Sequence, residues 1–596
     1  MRSIISLKHR ANTKSIKRII SVVLLAALLF SLDINVSAAG SASFLSDPFL
    51  QNPGNTYVRV VWFTEGKAND NKVLLFENGV DQPATREFKA SAIKLSTLRG
   101  GSSKDTSNDA SISREIYRYE AIVDDLPLYT GQPGEKIPYC VMSDGNMSNA
   151  YYLQAKAQPG TGMKILLTSD LQLKEMCAAN YQKVYETIGL VDAVLVNGDL
   201  VDVADSAYNW FDSDNSFFKV MQGKASHDTN GTVYSGGPLI QYAPLYASIG
   251  NHEVMGRFSD TGSLQDHFND PMTKDYATGK LLALSNTMSD GDKEKYIENN
   301  SFNTTAWEEI LSLPRSKSGD ERYYTVTIGD VSVIVLEMAR IWRGNFVSSK
   351  SKYSEEPGAT YDNYGFGQHI FEPVTEGSAQ LSFLKEALQD SEFQNAKYKM
   401  VMYHFDSHSI GSNNIPAYTN PVASSITDPI TGLDMTIYDY PIENDYIKNN
   451  VEPLLEQAGV DFVFTAHSHI YNRFKTSSGM NILQSSNVGN TYGTYYNNGA
   501  TRVDSAPSTF RKEDWRYSIR SAWDSKNYIM EGDPLGLTPI QPQIGNTPDG
   551  GPYIASNSIT EFSIFDTSTG CVTSYFYDTN HPENGVKEFD QFDVKR

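Results

Sequence analysis

The chain has 596 residues and a formal charge of −21, because 71 Asp and Glu residues outnumber 50 Lys and Arg residues. A chain of this length is expected to contain two or more domains. The acidic excess disfavours binding to nucleic acids and to anionic membranes, but it is compatible with small phosphorylated substrates that a metal ion attracts.

The first 39 residues predict a secretory signal peptide. Basic "KHRANTKSIKR" precedes an apolar run from Ile19 to Leu32, and small residues follow at Val36, Ala38 and Ala39. The run is shorter than the ~20 residues that a membrane-spanning helix needs. We therefore expect cleavage, a secreted or cell-surface protein and no stable membrane span, with an uncleaved anchor as the alternative.

Residues 44–158 predict an all-β sandwich of immunoglobulin or fibronectin type III size. Short runs of alternating character are separated by turn residues: "TYVRVVWFT", "NKVLLFE", "IYRYEAIVDDL", "KIPYCVMSDG" and "NAYYLQAK". This pattern buries one face of each strand. Trp62 is a candidate core anchor and Tyr139 a candidate corner tyrosine, with ordinary buried aromatic residues as the alternative for both. The stretch 155–162, "AKAQPGTG", is the predicted boundary.

Residues 163–596 predict an α/β domain with long loop insertions. Five apolar runs each end in a polar cluster: "MKILLTSD", "DAVLVNGD", "PLYASIGNHE", "YKMVMYHF" and "VDFVFTAHSH". Helical patterns that begin near residues 173, 378 and 446 separate some of these runs. In such sheets ligands bind beyond the carboxyl ends of the strands, where all five clusters fall.

Long segments rich in Gly, Asn, Ser, Asp and Tyr lie between the clusters. We expect unstructured loops that form a substrate-facing rim over residues 203–243, 254–320, 342–377 and 406–441. The two last apolar runs, "ITEFSIFDT" and "CVTSYFYDT", predict a hairpin.

The polar clusters combine carboxylates, an amide and imidazoles, a set of donors that suits Fe, Mn or Zn. The residues that supply them are Asp170, Asp199, Asp202, Asn251, His252, Glu253, His404, His467 and His469. His467 and His469 would point to opposite faces of a regular strand. Both can reach one site only if the strand ends before them.

The order of these blocks, D…GD…GNHE…H…[GA]HxH, resembles the calcineurin-like metallophosphoesterases. The stretch "DPFLQNPGNTYVRVVWFT" resembles the start of the N-terminal domain of purple acid phosphatases. The resemblance implies a β-sandwich flanked by helices in four layers, αββα, and hydrolysis of a phosphate ester by attack of a metal-bridging hydroxide. It implies two transition-metal ions as cofactors and a small phosphorylated compound or a cell-wall phosphate ester as substrate.

The resemblance also assigns the metal ligands. It makes Asp199 the carboxylate that bridges both ions, and it places Asp170 and His469 at the first ion. The remaining ligands, Asn251, His404 and His467, belong to the second ion.

Two neighbours of Asn251 receive roles from the same resemblance. His252 would be the catalytic residue, which hydrogen-bonds a phosphate oxygen or protonates the leaving group. Glu253 would orient a histidine.

The chain departs from the family pattern at two positions. Most members carry histidine two residues after the first aspartate, where this chain has Gln172, and purple acid phosphatases carry tyrosine where it has Asp202. Gln172 could ligate the metal, bind a water or donate a hydrogen bond, and Asp202 is expected to orient a ligand rather than bind metal. The missing tyrosine predicts the absence of a tyrosine-to-iron charge-transfer colour.

A competing interpretation is a surface binding or adhesion protein with a degenerate phosphoesterase fold. Four of the ten histidines stand at the strand ends, which favours the enzyme, since a degenerating site loses its metal ligands. The five blocks do not distinguish a monoesterase from a diesterase. His408 is interpreted as a surface loop histidine in preference to a substrate contact.

Overall fold

The computed structural model describes most of the chain after residue 42. The described ranges are 43–100, 112–132, 134–257, 263–269, 272–284, 288–340, 369–411, 417–485, 533, 535–548, 550–556 and 558–595. The predicted signal peptide and residues 342–368 of one predicted loop lie outside these ranges. No helix among the described residues is long and apolar enough to span a membrane.

The N-terminal region is all-β, as predicted. Its strands are β1 (Ser43–Phe44), β2 (Phe49–Gly54), β3 (Tyr57–Glu65), β4 (Asn71–Leu75), β5 (Arg86–Lys89), β6 (Ser91–Lys94), β7 (Arg99–Gly100), β8 (Ile112–Ser113), β9 (Ile116–Val123), β10 (Ile137–Ser143), β11 (Asn146–Met147) and β12 (Tyr151–Leu153). One antiparallel sheet has the order β1-β3-β9-β6, with β2 on β3, and the other has the order β11-β10-β4-β5, with β12 on β10. The predicted likeness to fibronectin type III stays a prediction.

Trp62 is buried in the core of this region, as expected for an anchor. Its indole Nε1 donates to Ser143 Oγ at 2.9 Å, and its ring stacks on Tyr119. Tyr139 is not a corner tyrosine but fits the alternative, a buried aromatic residue, because its hydroxyl donates to the carbonyl of Gln241 at 2.9 Å, far along the chain. A corner tyrosine bonds backbone a few residues away, whereas Tyr139 ties the N-terminal region to the next one.

The remaining strands and helices follow in chain order. The strands are β13 (Lys164–Thr168), β14 (Ala193–Asn197), β15 (His227–Thr229), β16 (Thr232–Tyr234), β17 (Leu245–Ser248), β18 (Tyr324–Ile328), β19 (Val331–Val335), β20 (Tyr398–Met402), β21 (Val422–Thr427), β22 (Asp434–Asp439), β23 (Phe462–Thr465), β24 (Tyr471–Lys475), β25 (Asn481–Gln484), β26 (Tyr553–Ile554), β27 (Ile559–Asp566), β28 (Cys571–Asp578) and β29 (Lys587–Asp593). The α-helices are α1 (Cys177–Ile188), α2 (Phe217–Met221), α3 (Leu264–Phe268), α4 (Lys274–Leu284), α5 (Asp290–Asn299), α6 (Thr305–Ile310), α7 (Ala379–Gln389), α8 (Ser391–Asn395) and α9 (Glu452–Gln457). Shorter helical turns are π-helical at Tyr208–Asp212 and Ile447–Val451, and 3₁₀ at Ile442–Asn444 and Pro582–Asn584.

Two mixed sheets form the centre of the α/β region. Their strand orders are β17-β14-β13-β27-β28-β29 and β18-β19-β20-β23-β25-β24-β26. The two sheets pack face to face. Alternate residues of one strand point to opposite sides of its sheet, so they join different cores. In β19, for example, Val333 and Val335 join the core between the sheets, whereas Ile334 joins the core beneath α7 and α9. Helix α1 packs on β27, so the layers are helix, sheet, sheet and helix, as predicted.

The expectation of long unstructured insertions is wrong for parts of three of the four predicted segments. Residues 203–243 contain α2 and the hairpin β15–β16, residues 254–320 contain α3 to α6, and residues 406–441 contain the hairpin β21–β22. Short elements with weak amphipathic patterns give little signal in composition. The predicted C-terminal hairpin is confirmed as β27–β28, and β29 extends it.

The N-terminal region packs against the α/β region through aromatic side chains. The ring of Phe63 lies 5.1 Å from that of Phe211 and 5.2 Å from that of Phe218, and Phe49 also contacts Phe218. The predicted boundary at residues 155–162 falls between β12 and β13. One face of the N-terminal region therefore belongs to the same apolar core as the sheets.

Candidate metal centre

The five predicted clusters meet at one edge of the two central sheets. Strands β13, β14 and β17 are parallel to one another, and so are β20 and β23 in the other sheet. Each cluster starts one to three residues beyond the last residue of its strand. The parallel direction thus brings residues from all five blocks to the same edge.

The turn that follows β23 explains how His467 and His469 both reach the site. The strand ends at Thr465, and His467 and His469 have φ values of 72° and 56°. A positive φ is uncommon for residues other than glycine and occurs at sites that the surrounding structure holds in place. The predicted end of the strand before the histidine pair is therefore confirmed.

Two groups of buried side chains could each hold a metal ion. Asp199, His404 and His467 form one group, and Asp170, Asp199 and His469 form the other. Within each group the candidate ligand atoms lie within 4.8 Å of one another. The groups share Asp199, and their carboxylate and imidazole donors fit Fe, Mn or Zn.

Hydrogen bonds to the backbone orient the ligand atom of His404. Its Nδ1 donates to the carbonyl of Asn197 at 2.7 Å, which leaves Nε2 3.3 Å from Asp199 Oδ2. Burial lowers the pKa of His404, but the Asp199 carboxylate outweighs this effect and raises the pKa to about 10. An analogous contact joins His469 Nε2 to Asp170 Oδ1 at 3.3 Å.

The two buried carboxylates owe their charge to the histidines. Burial alone would raise the pKa of Asp199, but attraction to His404 and then to His252 holds that pKa below its usual range. Asp170 behaves in the same way, with His469 as the largest favourable contribution. The centre is therefore a set of buried anions that requires positive charge.

Glycines allow the blocks to approach one another. A Cβ on Gly250 would lie 2.2 Å from Asp199 Oδ1, and a Cβ on Gly198 would lie 2.5 Å from His404 Nδ1. Both distances are shorter than any normal contact. The glycines that precede Asp199 and Asn251 are thus required by packing at the metal centre.

His252 lies at the solvent side of the centre. Its backbone N–H donates to Asp199 Oδ1 at 2.9 Å, its ring Nδ1 donates to the carbonyl of Asp202 at 2.7 Å, and its ring packs against Phe268. The side chain is 18% exposed, whereas that of His404 is fully buried. His252 can therefore meet a substrate that the buried residues cannot reach directly.

The two unusual positions occupy different places. Gln172 Nε2 donates to Asp199 Oδ2 at 2.6 Å, which favours the hydrogen bond among the three alternatives for this residue. The side chain of Asp202 is 50% exposed, and its Oδ1 lies 3.6 Å from His252 Nδ1. Asp202 belongs to neither ligand group, and its orienting role stays a prediction.

Glu253 does not orient a histidine through any of its hydrogen bonds, contrary to expectation. Its carboxylate accepts backbone N–H groups from Asp199 and Gly250 at 2.8 Å and from Leu200 at 2.7 Å. Burial, with repulsion from Asp199, raises the pKa of Glu253 to about 7. Glu253 thus fixes the loop that carries Asp199 to the loop that carries Asn251.

Asn197, which no sequence motif singled out, joins the two sheets beneath the centre. Its Nδ2 donates to the carbonyls of Tyr403 and Phe464 at 2.9 Å, and its Oδ1 accepts from Ser248 at 2.7 Å. The available signal was a lone amide at the end of an apolar strand. A buried amide in this position needs several partners and so marks a point of contact between strands.

The surface assignment of His408 is wrong. The residue is 5% exposed, its Nδ1 lies 2.6 Å from Asp533 Oδ2, and its Nε2 lies 2.8 Å from Glu452 Oε1. Burial lowers the pKa of His408, but Asp533 and Glu452 raise it to about 10. His408 therefore forms a buried ion cluster with Asp533 and Glu452.

Comparisons with known proteins place this architecture in a family. The calcineurin-like phosphoesterase family model matches residues 163–471, and no curated protein sequence matches. A purple acid phosphatase from yellow lupin (Lupinus luteus) seeds has 11% identity and a TM-score of 0.47, covering 91% of this chain and 73% of its own. A structure of PhoD has 10% identity and a TM-score of 0.41, with 93% of both chains covered. Both TM-scores are too low to support a conclusion. Because the family model spans more than half of its residues, this chain belongs to the calcineurin-like phosphoesterases and is a phosphoric ester hydrolase.

Proposed function

We propose that this protein is an exported phosphoesterase that binds two transition-metal ions, Fe, Mn or Zn, around Asp199. The observation that carries this proposal is the pair of overlapping ligand groups, which share Asp199 and no other residue. A shared carboxylate reduces the repulsion between neighbouring cations. When bound, such ions neutralise charge on the phosphoryl group and lower the pKa of the attacking water.

The two groups support a division of the ligands between the ions. Asp170 and His469 would bind the first ion, and His404 and His467 would bind the second. Asn251 is proposed as a further ligand of the second ion, since it is buried in the loop that Glu253 fixes to the loop of Asp199. Gln172 and Asp202 are proposed to act by hydrogen bonds.

His252 is proposed to serve the substrate. Because its Nδ1 proton is donated to the carbonyl of Asp202, a proton at Nε2 requires the doubly protonated ring. The protonated ring can stabilise a phosphate oxygen or transfer its Nε2 proton to the leaving group. If His252 acts in this way, the rate of hydrolysis is expected to be lower with the singly protonated ring than with the doubly protonated ring.

Export is part of the proposal and rests on the N-terminal sequence. The substrate is proposed to be a small phosphorylated compound or a cell-wall phosphate ester met outside the cytoplasm. Expression in a secreting host, with mass spectrometry of the N-terminus in the medium, would test cleavage near residue 39. Retention of the whole N-terminus in a membrane fraction would contradict cleavage.

The metal assignment is tested by elemental analysis together with hydrolysis of nitrophenyl phosphate and bis-nitrophenyl phosphate. We expect two metal ions per chain in the wild type and loss of both activity and most metal in Asp199→Ala. Asp202→Ala is the matched control, since its half-exposed carboxylate lies in neither group, and it should keep its metal. Two tightly bound ions in Asp199→Ala would refute the shared ligand.

A further inference from the structure

A cleft lies at the edge of the first central sheet where its parallel strands begin, opposite the edge that carries the candidate metal centre. It has a volume of about 480 Å³, and its lining includes Tyr129, Gln132, Lys136, Tyr152, Leu190 and Tyr242. This volume falls within the range of small-ligand sites. The N-terminal region supplies the first four of these residues, and the α/β region supplies the other two.

The position of the cleft separates it from the chemistry. Leu190 precedes β14 and Tyr242 precedes β17, whereas the metal-centre residues follow the same strands. Strand β14 has five residues, so the cleft lies roughly 15–20 Å from the centre at ~3.3 Å per residue. A ligand in the cleft therefore does not touch the proposed metal ligands.

The cleft presents the aromatic ring of Tyr152 to solvent. Tyr152 is 47% exposed because it alternates with the buried Tyr151 and Leu153 on β12. Its ring stacks with that of Tyr242, at 6.5 Å between centroids and 26° between planes. Leu190, 43% exposed, adds a further apolar surface. A single exposed aromatic residue is ordinary, but Tyr152 stacks on the half-buried Tyr242 and both line a concave surface.

The charges of the cleft are already balanced. Lys136 Nζ lies 3.4 Å from Asp192 Oδ1 and 5.4 Å from the centre of the Tyr129 ring. The carboxylate of Glu135 is engaged by the N–H groups of Thr130 and Gln132. Among the described residues of this cleft there is thus no excess positive charge that would favour an anion.

We propose that this cleft binds a neutral carbohydrate. A sugar ring offers one face of C–H groups, which packs on aromatic rings, and a rim of hydroxyls, which needs hydrogen-bond partners. All the aromatic residues among its described lining are tyrosines, so each ring carries a hydroxyl, and Gln132 and Lys136 supply further polar groups. A proline-rich peptide also packs on aromatic grooves, but proline lacks a backbone N–H donor, so such a peptide offers these polar groups fewer partners than the hydroxyls of a sugar do. The proposal is independent of the metal centre.

Titration calorimetry of the purified protein with cellotetraose, maltotetraose and chitotetraose tests the proposal. At least one of these should bind with a Kd of about 1 mM or tighter, with and without chelation of metal. Tyr152→Ala should weaken binding by about fivefold or more, in keeping with the loss of an aromatic contact, while Tyr152→Phe should keep most of the affinity. Ile93→Ala, 42% exposed on the other N-terminal sheet, is the matched control and should bind as the wild type does.

Leu190→Ala provides a second variant if Tyr152→Ala does not fold, and it should also weaken binding. Absence of binding to all three sugars at about 10 mM would overturn the proposal. Preferential binding of polygalacturonate or of a proline-rich peptide would overturn it as well, as would full affinity in both Tyr152→Ala and Leu190→Ala.

Discussion

The two edges of the first central sheet carry different kinds of side chains, although the same strands lead to both. At the carboxyl edge, the buried carboxylates of Asp170 and Asp199 sit on residues with positive φ and face imidazoles that the second sheet supplies. At the amino edge, the tyrosine cleft combines one exposed ring, that of Tyr152, with the half-buried ring of Tyr242 and a balanced ion pair. Catalytic groups need imposed geometry and uncompensated charge, whereas a surface for weak binding needs only accessible faces.

The largest effect is expected from replacement of His252, the partly exposed histidine at the carboxyl edge. His252→Ala should keep its metal and lose ~10²–10⁴-fold in kcat, the range of a positioned proton donor. The loss should be smaller for phosphate esters with very good leaving groups, because these need no proton. Steady-state kinetics over a series of leaving groups would measure it, and an equal loss across the series would assign His252 to phosphate positioning instead.

A second test asks whether the imposed geometry is essential. Gly250→Ala places a methyl group 2.2 Å from Asp199 Oδ1, so the loop must move and activity should fall by about a hundredfold. Gly279→Ala in α4 is the matched control, since its Cβ meets nothing within 4 Å. Kinetics and metal content of both variants would be compared. Wild-type values for Gly250→Ala would show that the centre tolerates displacement.

The buried ion cluster of His408, Asp533 and Glu452 allows a test of charge compensation by protein side chains, in contrast to compensation by metal ions. The pKa of His408 is raised from 6.5 to about 10, so its contribution to stability is complete below pH 6.5 and is lost as pH rises towards 10. His408→Ala should lower the free energy of unfolding by about 3 kcal/mol near pH 6, because two carboxylates lose their cation. The difference from wild type should shrink by pH 10 in denaturant titrations. A difference that does not change with pH would contradict the charged cluster.

The smallest expected effect concerns the first metal ligand block. Gln172→His should tighten metal binding at the first site by up to about tenfold, because the side chain at this position already reaches the shared ligand Asp199 and an imidazole there would add a donor that suits Zn or Fe. Gln172→Ala is the control, and it should weaken binding slightly through loss of the hydrogen bond to Asp199. Site-resolved metal titration would measure both. Unchanged affinity in both variants would place Gln172 outside the influence of the ions.

The sequence predicted the five strands of the metal centre because each is a strongly apolar run that ends in a distinctive block. Glu253 was assigned the wrong partner because it binds backbone N–H groups, which carry no residue identity. The corner interpretation of Tyr139 and the surface interpretation of His408 were wrong for a related reason. Their partners Gln241 and Asp533 lie more than 100 residues away in sequence.

The sequence by itself determined the order of the strands, the donor atoms at their ends and the need for a strand to stop before His467. Periodicity and residue chemistry are local properties that a linear pattern carries. Only the tertiary structure decided that Glu253 fixes the loop of Asp199 to the loop of Asn251, that Asn197 joins the sheets and that a tyrosine cleft forms at the opposite edge. These features depend on distances between residues that are remote along the chain, and such distances are set by the packing of sheets and loops.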